Sequence, residues 1–280
     1  MTEERMNEMP EWPEMDTYRR LLSPLVCGQM IRDVAVNRDK TINEPPEAFK
    51  EALKGKRILF IERRGKHLLF HLDDGNRLLL HLMLGGWLYY GQEGPKSDDH
   101  YQVILTLDDG NRLFFAGLRL GFLHRLSAKS VLERLHDLGP DPMDPRLTLA
   151  AFSARLKKRR GRLKPVLTDQ KFLAGIGNCY SDEICFEARV HPASQIAALD
   201  EESVARLYEA MRSVLKEAAD GGGYMEHPLR EGDETTGGYL DKLKIYDRGG
   251  EPCPRSGDEI AAETLAGRKM FYCPICQKEA

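Results

Sequence analysis

Long apolar runs are missing from the chain: none approaches the ~18 residues needed to cross a bilayer, so no membrane partner is expected. The first residues, MTEERMNEMPE, are acidic where a secretory signal would be basic and then apolar, and a cytoplasmic protein is expected. An excess of positive charge is missing too. With 41 Lys and Arg against 44 Asp and Glu the formal net charge is −3. That excludes a protein that coats nucleic acid generally and confines any such contact to local basic patches. Cysteine is sparse. The six are Cys27, Cys179, Cys185, Cys253, Cys273 and Cys276, and only the last three cluster. In a cytosolic chain that cluster points to metal before disulfide. What remains is ordinary: 41% hydrophobic and 30% charged residues in 280, enough for two domains with a core in each.

The densest information lies in residues 163–192, LKPVLTDQKFLAGIGNCYSDEICFEARVHP. Leu163, Val166 and Leu167 give a short apolar face, AGIGN interrupts it, and Tyr180, Ile184 and Glu187 resume helical spacing. The spacing predicts helix, tight turn, helix, with Gly175 and Gly177 able to take positive φ and the following helix start able to bind an anion. Asn178 adds a side-chain donor there. A plain αα-hairpin satisfies the same spacing. Directly upstream, residues 155–164, RLKKRRGRLK, carry seven basic side chains and no acid. A basic helix feeding a glycine-turned helix N-terminus suggests a clamp on a nucleic-acid backbone.

Strand patterns fill residues 57–126, with DDGN twice between apolar runs. Asp74-Gly75 and Asp109-Gly110 are therefore expected to turn two hairpins of a twisted antiparallel sandwich. Helices are expected over residues 149–158 and 201–219, and 220–240 reads as a polar, glycine-rich and mobile stretch.

The block DQKFLAGIGNCYSDEICFEARVHP resembles the helix-two-turn-helix of the formamidopyrimidine-DNA glycosylase and endonuclease VIII family, bifunctional base-excision repair enzymes. The resemblance extends through separated motifs from about Met9 to Gln277. It implies an α+β protein: an N-terminal antiparallel β-sandwich domain and a C-terminal helical domain with the helix-two-turn-helix and a zinc-finger-like β-hairpin. The boundaries read as an extension at 1–8, helix plus sandwich at 9–126, a linker at 127–147, the helical domain at 148–240 and the finger at 241–280. A monomer on double-stranded damaged DNA, held in the cleft between the domains, is expected. A non-catalytic protein that binds damaged DNA or abasic sites is the alternative.

MPEWPE at 9–14 resembles the family's N-terminal signature, in which the initiator methionine is removed. The resemblance then makes Pro10 the nucleophile, Glu11 the neighbouring acid/base and Glu14 a support for the terminal amine. An α-amine has a pKa near ~8, so a useful fraction is unprotonated at neutral pH. A secondary amine attacking C1′ displaces the base and gives an iminium, after which β-elimination and then δ-elimination cleave the strand. Residues 1–8 are a departure, because Pro10 within a peptide bond has no basic nitrogen. Either translation starts at Met9, which is the expectation here, or the extension is removed, or the protein is not a proline-based lyase.

The remaining implied roles follow the family's other motifs. RRGKHLLF places Lys66 on phosphates beside the damaged nucleotide. HLMLGGW and AGLRLG resemble loops that fill the gap left by an extruded base. Leu84 stands where methionine is typical, Leu118 and Leu120 stand where arginine and phenylalanine are usual, and Arg119 is retained. Extrusion costs a few kcal/mol, which filling side chains offset. Lys164 and Asn178 match residues facing the DNA or the active site, and Arg268 matches the finger arginine. The finger itself has Cys253, Cys273 and Cys276 for Zn²⁺ but Ser256 in the fourth place. A neutral hydroxyl is a poor ligand beside thiolates, so weaker metal binding is expected unless water or Asp258 completes the shell.

Overall fold

Two Asp-Gly turns set the register of much of the sheet structure. In the computed structural model, which describes residues 9–279, Asp74 accepts the N–H of Asn76 at 2.9 Å and Asp109 accepts that of Asn111 at 2.9 Å. Gly75 and Gly110 take φ of +83° and +85°. A carboxylate standing in for a backbone acceptor, with a glycine in the left-handed region, closes a tight turn. The first joins β3 (His67–Leu72) to β4 (Asn76–His81), and the second joins β6 (Tyr101–Leu107) to β7 (Arg112–Ala116). Both hairpins lie where the Asp-Gly pairs place them.

The chain folds as two units. The first comprises the described residues up to Asp137 together with Gly221–Gly238. One of its sheets runs β2-β3-β4-β8, with β2 at Ile58–Arg64 and β8 at Phe122–Ser127. The other runs β1-β6-β7-β5, with β1 at Ile31–Val36 and β5 at Trp87–Gly91. All pairings are antiparallel. Alternate residues such as Leu78 and Leu80 from one sheet and Leu113 and Phe115 from the other share a single core. Helix α1 (Trp12–Val26) adds Met15, Tyr18, Leu22 and Val26 to it. That spacing of three and four turns one stripe inward, and each fully buried apolar side chain there contributes about 1.5–3 kcal/mol. Strand β1 and helix α2 (Pro46–Leu53) were not anticipated. Helix α3 (Ala128–Leu135), capped by the Ser127 hydroxyl, occupies residues expected to be linker.

The second unit comprises Leu138–Asp220 and the described residues from Tyr239 onward. Its helices are α4 (Leu149–Leu156), α5 (Leu163–Leu167), α6 (Asn178–Glu187) and α7 (Glu201–Asp220), followed by the hairpin of β9 (Ala261–Leu265) and β10 (Arg268–Tyr272). The α+β class, the sandwich and the helix-two-turn-helix are as expected. The basic stretch 155–164 is not a helix: α4 stops at Leu156, and Gly161 at φ +91° turns the chain into α5. Residues 220–240 also differ from expectation. Of these, Gly221–Gly238 are anchored within the first unit: Leu229 is buried in its core, Tyr90 donates its N–H to the Leu229 carbonyl at 2.6 Å, and His227 stacks on Trp87 at 4.3 Å. Among the described residues no helix is long and apolar enough to cross a membrane. The extension 1–8 lies outside the described residues.

Candidate active site and nucleic-acid interface

Helix α1 begins on a carboxylate pair. Glu11 is the N-cap and Glu14 the third helical residue. Each side chain accepts the other's backbone N–H, Glu14 Oε2 taking that of Glu11 at 2.9 Å. This capping box satisfies two of the helix's orphan donors. It also buries both carboxylates beside Pro10. Glu14 is held from a second side, because its Oε1 accepts the N–H of Tyr224 at 3.1 Å. That contact requires Gly223. Its φ is +69°, and a Cβ there would stand 2.4 Å from Glu14 Oε1.

Two further groups reach Met9, the residue bonded to Pro10 N. The Tyr224 hydroxyl donates to the Met9 carbonyl at 2.8 Å. Lys66, in the turn between β2 and β3, is largely buried and places Nζ 3.7 Å from the Met9 sulfur. Gly65 makes that turn at φ +57°. The next residue, His67, packs edge-on against His81 at 4.4 Å and ties the turn to strand β4. Burial pushes the His67 imidazole down to about 4 and the His81 imidazole down as well, so both are neutral near pH 7. Pro10, Glu11, Glu14 and Lys66 are thus brought together. Tyr224 and Gly223 join them from more than 200 residues away, with no local pattern to announce it.

The two expected filler loops interlock in the same unit. A Cβ on Gly117 would stand 1.9 Å from the Gly85 carbonyl oxygen, and one on Gly121 would stand 2.6 Å from that of His81, so backbone packs on backbone. Arg38 fixes the second loop by donating to the carbonyls of Leu118 and Arg119 at 3.1 and 2.9 Å. Leu84 is 41% exposed and Leu120 62% exposed. Arg119 is exposed beside them, and its guanidinium has no partner among the described residues. Leu118, expected as a filler, is 0% exposed and belongs to the core.

In the second unit Gln170 closes the turn of the helix pair. It accepts the Gly175 N–H at 2.8 Å and donates to the carbonyls of Ile176 and Thr168 at 2.7 and 3.0 Å. Gly175 takes φ +119°. Gly177 does not take positive φ: it is the extended N-cap of α6 at φ −131°. Asn178 opens the helix half-buried, with no partner for its side-chain amide among the described residues. Arg268 starts β10 and donates to the Thr168 hydroxyl, which links the finger hairpin to the end of α5. Of the basic stretch, Arg155 donates to the carbonyls of Lys171 and Phe172, Lys157 pairs with Glu201, and Arg159 pairs with Asp169. Lys158, Arg160 and Arg162 stay exposed without ion pairs among the described residues.

Lys164 lies elsewhere than expected. It is 1% exposed and pairs at 2.7 Å with Asp182, itself 0% exposed. Asp182 also accepts the Phe271 N–H at 3.1 Å. The pair is a rivet between α5, α6 and β10 and faces no solvent, because a buried cation is tolerated only beside its counter-ion. Burial pushes the Asp182 carboxyl up to about 7, against the pull of Lys164. The neighbouring Glu183, fully buried, accepts the N–H groups of Lys244, Ile245 and Tyr246 at 3.0, 2.8 and 2.9 Å.

Cys253, Cys273 and Cys276 converge, their sulfurs all within 4.8 Å of one another. Cys253 Sγ lies 3.9 Å from Cys276 Sγ, and Ser256 Oγ lies 3.4 Å from Cys273 Sγ. A tetrahedral ion with bonds of about 2.3 Å to sulfur and about 2.0 Å to oxygen spans edges of roughly 3.8 and 3.5 Å. The four side chains therefore fit such an ion with the serine hydroxyl at one corner. The Asp258 carboxylate is exposed and outside this group. For Cys253, burial raises the thiol pKa, but the N–H groups of Arg255 and Ser256 outweigh it and lower the value to about 7. A thiolate is the form a metal binds.

Residues 9–122 match the formamidopyrimidine-DNA glycosylase N-terminal domain, and residues 138–227 match the formamidopyrimidine-DNA glycosylase H2TH domain. The formamidopyrimidine-DNA glycosylase of Pelotomaculum thermopropionicum is 39% identical over 96% of this chain and 99% of its own. The fold is similar to that of wild-type Lactococcus lactis Fpg in a complex with N7-benzyl-Fapy-dG-containing DNA, with a TM-score of 0.88 and 32% identity, over 96% of this chain and 100% of that one. It is equally similar to the complex of the Lactococcus lactis Fpg with abasic-site DNA, with a TM-score of 0.89 and 31% identity over the same shares. With its sandwich, its helix-two-turn-helix and a relative of this identity over nearly its whole length, the chain belongs to the formamidopyrimidine-DNA glycosylase family.

Proposed function

We propose that this protein is a DNA repair glycosylase with abasic-site lyase activity, and that its reactive form begins at Pro10. The observation that carries the reading is the buried Glu11–Glu14 capping box that follows Pro10 directly, with Lys66 Nζ 3.7 Å from the sulfur of the preceding Met9. In that form the secondary amine attacks C1′ of the damaged nucleotide. The C1′–base bond breaks, and its electron pair leaves with the base, which takes up a proton as the attacking nitrogen gives up its own. The nitrogen lone pair then forms an iminium as the C1′–O4′ bond breaks. Glu11 gives a proton to O4′ and, as a carboxylate, removes one from C2′, so that the 3′-phosphate is eliminated. Glu14 holds the helix start and the loop at 223–224 around the amine.

Lys66, Asn178 and Arg268 bind phosphates, and Arg119 with Leu84 and Leu120 fills the place of the extruded base. Leucines cannot hydrogen-bond the orphaned base, which makes discrimination of the opposite base weak. Cys253, Cys273, Cys276 and Ser256 would hold Zn²⁺, which would brace the finger hairpin that carries Arg268. The protein acts as a monomer on double-stranded DNA. The solved relatives bound to abasic-site DNA and to Fapy-dG-type lesions support this substrate class.

The test is strand cleavage of an end-labelled duplex with one abasic site, alongside a duplex with one formamidopyrimidine lesion. Elimination products from both support the reading. Tight binding with both strands left intact would replace it with a damage-binding protein.

A further inference from the structure

The Met9 carbonyl marks where a reacting sugar would lie. Its carbon is bonded to Pro10 N, as C1′ is in the covalent intermediate that the proposed Pro10 mechanism requires. Its oxygen is the oxygen carried by that carbon, as O4′ is once the base has left. The group that touches this oxygen is the Tyr224 hydroxyl, which donates at 2.8 Å.

We infer that Tyr224 donates a hydrogen bond to the sugar ring oxygen O4′ while the ring opens. The inference rests on the reading of Pro10 as nucleophile. As the nitrogen lone pair closes the C1′=N bond, the electron pair of C1′–O4′ moves onto O4′, and the proton that settles there comes from Glu11. Tyr224 keeps its own proton throughout and stabilises the oxygen as charge gathers. A phenol is suited to this because its O–H donates without having to ionise. The donor is also pre-aimed. The Tyr224 backbone N–H is fixed on Glu14 at 3.1 Å, Gly223 lets the chain approach at φ +69°, and the side chain is 4% exposed. A donor that needs no reorganisation at the moment of reaction is the effective kind.

The experiment uses the protein beginning at Pro10 and its Tyr224→Phe variant. Single-turnover borohydride trapping on an abasic-site duplex is followed over a range of protein concentrations. The expected result is a saturating trapping rate about ten- to a hundredfold lower in the variant, with the half-saturating concentration and Tm unchanged. Equal saturating rates would overturn the inference and leave the Pro10 mechanism standing. A shift of half-saturation and Tm in step with the rate would reduce Tyr224 to packing and also overturn it. If the unsubstituted protein beginning at Pro10 forms no adduct, the nucleophile assignment fails first and the role of Tyr224 falls with it.

Discussion

Each unit of this protein buries a cluster of charged side chains, and the two clusters do opposite work. In the first unit Glu11 and Glu14 accept backbone N–H groups at the start of α1, directly after Pro10, the proposed nucleophile. In the second unit Lys164, Asp182 and Glu183 hold helices and hairpin together, and no reactive atom lies among them. Burial and a displaced pKa are found in the structural cluster, with Asp182 raised to about 7. A perturbed carboxylate therefore does not by itself identify a catalytic group. What separates the clusters is the proposed nucleophile, Pro10, which directly precedes the first of them in the chain.

Glu11→Gln sharpens the contrast most. Glutamine keeps an oxygen to accept the helix N–H but cannot carry a proton, so abasic-site cleavage should fall by about 10²–10⁴-fold while Tm holds. A rate within a few-fold of the original would remove Glu11 from the chemistry. The mirror experiment is Lys164→Met, which leaves Asp182 buried without its counter-ion. A loss of about 3–5 kcal/mol in stability is expected from chemical denaturation at about pH 8, where Asp182 is ionised. The double variant Lys164→Met, Asp182→Asn should recover part of it. If the single variant keeps its stability and instead loses DNA affinity, Lys164 faces the DNA after all.

Gly223→Ala tests the support on the other side. A Cβ at 2.4 Å from Glu14 Oε1, in a left-handed backbone, must displace either the loop or the carboxylate. The expected cost is about 1–3 kcal/mol, with cleavage reduced by more than the fraction unfolded explains. A pH dependence of stability completes the comparison. The folded Asp182 keeps its proton up to about 7, whereas the unfolded chain gives it up near ~4. The folded form thus binds more protons between those limits, and its stability falls as pH rises through that window. Asp182→Asn should flatten that slope in Tm measured from pH 4 to 8. An unchanged slope would assign the proton to another group.

Local chemistry was the part of the fold that the sequence made legible. The Asp-Gly turns depend on adjacent residues, as do the helix pair around AGIGN and the cysteine cluster, and all were found where their patterns lie. The misplacements concern burial and distance. Lys164 and Leu118 look like a free cation and a filler until the tertiary structure covers them. Seven basic residues within ten conceal that Arg155, Lys157 and Arg159 are engaged by Lys171, Glu201 and Asp169. Tyr224 reaches Glu14 across 210 residues through a glycine whose neighbour in space belongs to another element. A polar glycine-rich composition suggested a mobile loop, yet Leu229, His227 and Tyr224 pin it to the sandwich and to the start of α1.

The central claim is that Pro10 is the nucleophile and must carry a free amine. Borohydride trapping on abasic-site duplex DNA, comparing the 280-residue protein with the form beginning at Pro10, tests it directly. The account predicts a covalent adduct from the shorter form alone, with the cross-link mapping to Pro10. An equal adduct from both forms would place the reactive amine on another residue, and no adduct from either, with tight binding retained, would contradict the lyase mechanism itself.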